Sequence, residues 1–161
     1  MPMTRDERDT VIVRYRDGAA EFRTALADVT EAELDERPIA GEWTVREIAH
    51  HLADSELTSA VRLRRLIAED EPVLQGYDEM TFVRRLHVSD RPIASSIDAA
   101  AAARASTLTI LEVLTEDEWT RTGTHAEQGP YSVEAWLLDY ANHPWDHADQ
   151  ARRVLAALRA S

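Results

Sequence analysis

The segment from Ser132 to Arg159 constrains this chain most. Its apolar residues Val133, Trp136, Leu137, Tyr140, Ala151, Val154, Leu155 and Leu158 recur at three- and four-residue spacing. That spacing predicts an amphipathic helix with one face turned to a core. Carried through the middle of the segment, it lands on positions 143 or 144 and on 147, occupied by His143, Pro144 and His147. Two histidines therefore take core-facing positions one turn apart. A buried imidazole left unpaired costs ~1–3 kcal/mol. Two stacked in a dry interior cannot both be protonated cheaply, and a metal ion answers both constraints. The plainer alternative is a pair of surface or hydrogen-bonded core histidines, which placement in the stripe disfavours. Pro144 removes one helical hydrogen bond and presses on the carbonyl of Tyr140. It predicts a kink between the two histidines, or a break just before His143.

Three further amphipathic segments accompany this one. Residues 5–27 carry Val11, Ile12, Tyr15, Ala19, Phe22 and Leu26 at helical spacing. A second helix follows Trp43, with Thr44 as N-cap and Glu47 three residues on, and runs to about residue 68. Its core stripe is Val45, Ile48, Leu52, Ser55, Ser59, Leu63 and Leu66. A third spans residues 95–114, with Ile97, Ala101, Leu108, Leu111 and Leu114 inward. Short turns are expected at Thr30–Glu33 and Thr115–Glu118, both shaped like capping boxes, and a short helix over residues 79–86. Residues 121–131 read as a loop. The fold class is all-α: a four-helix bundle with short extra helical turns in the connections, forming one domain over residues 1–161. The span between the first two helices can serve as a crossover.

The second helix supplies a third histidine. At roughly 100° per residue, His51 lies about 80° from the centre of the stripe, on its flank, and His50 about 180° away, facing outward. His51 is therefore the candidate ligand and His50 a surface or interface residue. His51, His143 and His147 make an open three-ligand site, with room for water or substrate on the ion. Ligating imidazoles pass their other N–H to an acceptor. Asp54 is the first candidate for that role, followed by Asp139, Asp146, Asp149 and Gln150. Ser55 has no apolar reason to face inward and is expected to widen the pocket. His87 and His125 read as loop residues near the site mouth, and the four tryptophans as packing residues.

Composition removes several function classes. The formal net charge is −12, which argues against nucleic acid and against an anionic membrane surface. The chain has no cysteine, so thiolate catalysis, disulfides and Cys-based zinc sites are excluded. Its charged N-terminus shows no secretory signal, and no apolar run approaches the ~20 residues of a membrane span. A cytoplasmic protein is the expectation. No Gly-rich phosphate loop, G-x-S-x-G elbow or repeated Glu-x-x-His pair is present.

The chain resembles the DinB/YfiT superfamily of metal-binding four-helix bundles. The resemblance rests on residues 41–55 (GEWTVREIAHHLADS), on residues 140–147 (YANHPWDH), and on Tyr77-Asp78-Glu79. It covers nearly the whole chain in order. Pro144 departs from the motif. The resemblance implies a divalent ion, zinc or nickel, held by His51, His143 and His147. It implies a hydrolase, or an S-transferase using a low-molecular-weight thiol of the bacillithiol or mycothiol kind, acting on a small-molecule substrate. It also implies a homodimer. The alternative is a non-catalytic stress-response or binding module with a structural or vestigial metal site.

Overall fold

A computed structural model of the protein describes residues 2–160. Four long helices, α1 (Arg5–Ala25), α2 (Val45–Ala68), α4 (Ile93–Leu111) and α6 (Val133–Arg159), form the bundle. Two short helices, α3 (Glu79–Arg85) and α5 (Glu116–Trp119), and 3-10 turns at Glu31–Glu33 and Val88–Asp90 fill the connections.

The helix starts follow from local chemistry. Thr4, Thr44 and Thr115 each accept a hydrogen bond from the backbone N–H three residues on, and Glu7, Glu47 and Glu118 return the bond to the cap. These reciprocal pairs satisfy donors that a helix end would leave open. α4 starts two residues earlier than its apolar spacing suggests, directly after Pro92, and ends at Leu111.

Around the bundle, α1 packs on α6, α6 on α2, α2 on α4, and α4 on α1. α1 and α2 therefore stand diagonally opposite, so residues 26–44 cross the bundle end. The crossover read as an option in the sequence is the path the chain takes. It brings α2 beside α6, far apart in sequence, and so sets the three candidate histidines side by side.

The core has two apolar halves. One gathers Phe22, Ile48, Leu52, Ala148, Ala151 and Val154. The other gathers Tyr15, Leu63, Leu66, Trp136, Leu137 and Tyr140. Between them every long helix contributes polar or small residues: Gly18 from α1, Ser55, Glu56 and Ser59 from α2, Arg104 and Thr107 from α4, and His143 with Pro144 from α6. The candidate site lies on this polar layer.

Two readings of the sequence are corrected here. Residues 121–131 are not a plain loop. They form most of a hairpin, β2 (Thr122–His125) against β3 (Gly129–Ser132), with β1 (Val73–Leu74) parallel to β2. The strands are short and carry Gly and Pro, so they show no apolar alternation. On α4 the buried stripe is Ser96, Ala100, Arg104, Thr107 and Leu111: of the expected inward residues Leu111 is fully buried, while Ile97, Leu108 and Leu114 are only partly buried against the core. The stripe is mostly polar because α4 faces polar groups of α2, and apolar periodicity cannot detect that.

Candidate metal centre

α2 presents His51, and α6 presents His143 and His147 from successive turns. Their Nε2 atoms converge. His51 Nε2 is 3.4 Å from His143 Nε2, and His147 Nε2 is 3.1 Å from the same atom. One ligand atom from each residue lies within 4.8 Å of the others. Two nitrogens bound tetrahedrally at ~2.0–2.1 Å from an ion stand about 3.3 Å apart, so this donor set fits a divalent metal without rearrangement.

The electrostatics agree with the geometry. Burial, with the neighbouring His147 adding to it, pulls His51 down to about 3. Burial also carries His143 well below the usual imidazole range, helped by the two other histidines. His147 is lowered by burial, against the raising effect of its bond to Gln150. At neutral pH all three rings are neutral. A ring without the proton on Nε2 has a lone pair there for a cation.

His147 is held in that form. Its Nδ1 donates to Gln150 Oε1 at 2.9 Å, and Gln150 Nε2 in turn donates to Glu42 Oε2 at 3.0 Å. Of the acceptors picked from sequence, Gln150 bonds to a candidate ligand. Asp54 makes no hydrogen bond to any of the three histidines among the described residues. It is half-buried, and that burial raises its carboxyl. Asp139 accepts from the Tyr131 hydroxyl at 2.6 Å, and Asp149 pairs with Arg152.

Trp43, a packing residue by its sequence, borders the centre. Its ring meets His51 edge-on at 4.6 Å and lies parallel to His147 at 6.2 Å. Its indole N–H points to Met80 Sδ at 3.0 Å. Trp43 directly precedes the α2 N-cap, a position whose contacts the crossover decides.

His50 corrects another expectation. It is 1% exposed rather than outward-facing. Its ring bonds Ser96 Oγ at 2.7 Å and the Arg91 carbonyl at 3.2 Å, joining α2 to α4. The back of α2 is buried through small residues, Ala49 and Ala53 against Ala100, which an apolar stripe does not register.

α6 runs through Pro144 without a break. The Tyr140 carbonyl, deprived of its helical donor, accepts from Arg104 Nη1 at 3.0 Å. The proline ring packs where Gly18 has no side chain: a Cβ there would stand 3.1 Å from Pro144 Cγ. Arg104 Nη1 also donates to Glu56 Oε1 at 2.5 Å, its Nε donates to the Tyr15 carbonyl at 3.2 Å, and its guanidinium covers the Tyr15 ring at 3.8 Å. Glu56 is fully buried, and that burial pushes its carboxyl up to about 7 against the pull of Arg104. Neither Glu56 nor Arg104 stands out in the sequence.

A cavity of about 220 Å³ opens beside the centre, with His143 in its wall. Ser55 lines it, as expected, together with Arg62, Tyr77, His125 and Tyr131. Arg62 is fixed by the Tyr140 hydroxyl at 2.8 Å and the Gln75 carbonyl at 2.6 Å. His125 is buried on β2, not in a loop. His87 lies at the turn before Val88, with a left-handed backbone, and does not line the cavity.

Comparison with known proteins agrees with this architecture. A relative from Oceanobacillus iheyensis, bearing the name "Putative metal-dependent hydrolase", is 32% identical over 126 residues, 78% of this chain and 73% of its own. A Bacillus cereus protein of the same name is 28% identical over 91% of this chain and 84% of its own. Among solved structures, YfiT from Bacillus subtilis, described as a probable metal-dependent hydrolase with an unusual four-helix bundle topology, superposes with a TM-score of 0.90 at 23% identity. That match covers 97% of this chain and 90% of YfiT. A mycothiol-dependent maleylpyruvate isomerase superposes at 0.72 with 16% identity, over 89% of this chain and 60% of the isomerase. The DinB superfamily profile matches residues 14–151, and the chain belongs to that superfamily.

Proposed function

We propose that the protein is a divalent-metal-dependent enzyme in which His51, His143 and His147 hold zinc or nickel and the adjoining cavity receives a small polar substrate. The observation that carries this reading is the convergence of three neutral Nε2 atoms beside an open cavity. A bound divalent ion supplies Lewis acidity, lowering the pKa of a water or a thiol next to it. The chain's own residues do the rest. The three rings offer lone pairs, Gln150 fixes His147, and Trp43 walls one side of the centre. The cavity lining is almost entirely hydrogen-bonding, which selects a polar substrate.

Hydrolysis is the leading reaction, supported by the names of the relatives at 27–32% identity. Transfer of a low-molecular-weight thiol to an electrophile is the second, supported by the mycothiol-dependent neighbour. The same reading takes the protein as a cytoplasmic homodimer, the state the family resemblance implies, and sedimentation velocity tests the pairing. No helix is long and apolar enough to cross a membrane among the described residues.

The test compares zinc- and nickel-loaded protein in two assays, ester or amide hydrolysis and thiol consumption with a reactive electrophile. Metal-dependent turnover in one assay, lost in His143→Ala, is the expected result. Tight metal binding without turnover in either would identify a binding module instead. Failure of the wild type to bind any divalent metal would end the reading altogether.

A further inference from the structure

Two buried polar atoms on the polar layer lack partners and are chemically complementary. His143 Nδ1 makes no hydrogen bond, and neither does Glu56 Oε2. The two side chains face each other, with His143 Nδ1 4.0 Å from Glu56 Oε1. An orphaned buried polar group is costly, and a donor N–H beside a carboxylate is a pairing that gives His143 Nδ1 the acceptor it lacks. A small adjustment of either side chain, about 1 Å, reaches ordinary hydrogen-bond length.

We propose that Glu56, clamped by Arg104, accepts the Nδ1 proton of His143 and so fixes that ring with its Nε2 lone pair toward the ion. The inference rests on the metal-site reading above. It gives His143 what Gln150 gives His147: an acceptor for the ring nitrogen that points away from the centre. Glu56 is a positioning residue, since it touches neither the cavity nor the converging Nε2 atoms.

Arg104 serves both ends of the arrangement. One guanidinium nitrogen reaches the Glu56 carboxylate and also the Tyr140 carbonyl that Pro144 leaves without a donor. The charge that orients the ligand and the bond that mends its helix therefore come from one side chain. Gly18 lets the Pro144 ring and Arg104 approach together, since a Cβ there would lie 3.1 Å from the ring and 3.2 Å from Arg104 Nη2. A proline one residue after a ligand is tolerated because α1 and α4 supply what the helix lost.

The experiment is proton NMR of the zinc-loaded protein with ¹⁵N-histidine, alongside zinc titration. In the wild type the His143 Nδ1–H line is expected downfield and slow to exchange with solvent. In Glu56→Gln that line moves upfield and exchanges faster, the His147 line stays in place, and zinc affinity falls about 10–100-fold, the usual cost of losing an outer partner. Glu56→Asp keeps the charge beside Arg104 but withdraws the carboxylate, and is expected to fall between the two. An unchanged His143 line and affinity in a folded Glu56→Gln protein would overturn the inference while leaving the metal site standing. If neither variant folds, the wild-type line decides: a His143 Nδ1–H exchanging at the rate of an exposed imidazole overturns the proposal. A wild type that binds no zinc overturns the metal-site reading and this inference together.

Discussion

The α2–α6 seam and the α2–α4 seam share a helix but are built on opposite terms. Toward α6, α2 offers aliphatic residues interrupted by His51, and α6 answers with Trp136, Leu137, Tyr140 and two more histidines. Toward α4, α2 offers His50, Glu56 and small alanines, and α4 answers with Ser96, Arg104 and Thr107. The first seam is held by apolar burial and turns three histidine Nε2 atoms toward one another, with lone pairs to offer. The second joins polar side chains to one another, His50 to Ser96 and Glu56 to Arg104. The difference separates the proposed metal centre from what the molecule uses to stay assembled, though both seams are histidine-bearing and polar.

The widest break in that comparison should come from Arg104→Met. It removes the partner of a fully buried carboxylate and the substitute donor for Tyr140, and should cost about 3–5 kcal/mol in urea unfolding. His143→Ala should behave in the opposite way. Its zinc affinity should fall more than about a hundredfold, beyond what loss of an outer partner causes, while metal-free unfolding changes little. Equal stability losses in the two variants would erase the distinction between the seams.

A smaller effect concerns pH. In the metal-free protein His51 titrates at about 3. In the unfolded chain it titrates near 6.5. Between these values the unfolded state binds more protons, so stability is full above pH ~6.5 and is lost as pH falls toward 3. His51→Gln should flatten this slope by up to about 1.4 kcal/mol per pH unit, read from unfolding at successive pH values. An unaltered slope would show that His51 is not protonated on unfolding in this range. The smallest effect is Gly18→Ala. Crowding of Pro144 should cost about 1–3 kcal/mol, offset in part by the ~0.5–1 kcal/mol that alanine gains in a helix. The net loss should shrink in a Pro144→Ala background, as thermal melts of the four proteins would reveal.

The two seams also differ in how far they could be read from sequence. Every residue of the predicted α2 stripe, from Val45 to Leu66, is buried, and so are Val133, Trp136, Leu137 and Tyr140 on α6. Apolar periodicity reports burial by transfer from water, and these positions obey it. The same spacing put His143 and His147 on the inner side of α6 and His51 on the flank of the α2 stripe. It failed on α4, where burial is driven by pairing and not by apolarity, and so placed His50 at the surface and passed over Glu56 and Arg104. Trp43, Gln150 and the hairpin beside the cavity depend on which connections cross the bundle end. Pro144 could be flagged from sequence as a missing hydrogen bond, but not the arginine 40 positions earlier that replaces it.

The diagonal placement of α1 and α2 bears on how the protein comes to exist at all. His51 and His143 are 92 residues apart. No local segment can make the three-nitrogen cluster, so it appears only after most of the chain has been brought together, late on a path slowed by the entropy of closing so long a loop. An ion that needs all three nitrogens then recognises the finished topology and not its precursors. During refolding such an ion would stabilise native molecules over collapsed ones with the helices in the wrong order, so that binding would select for correct assembly.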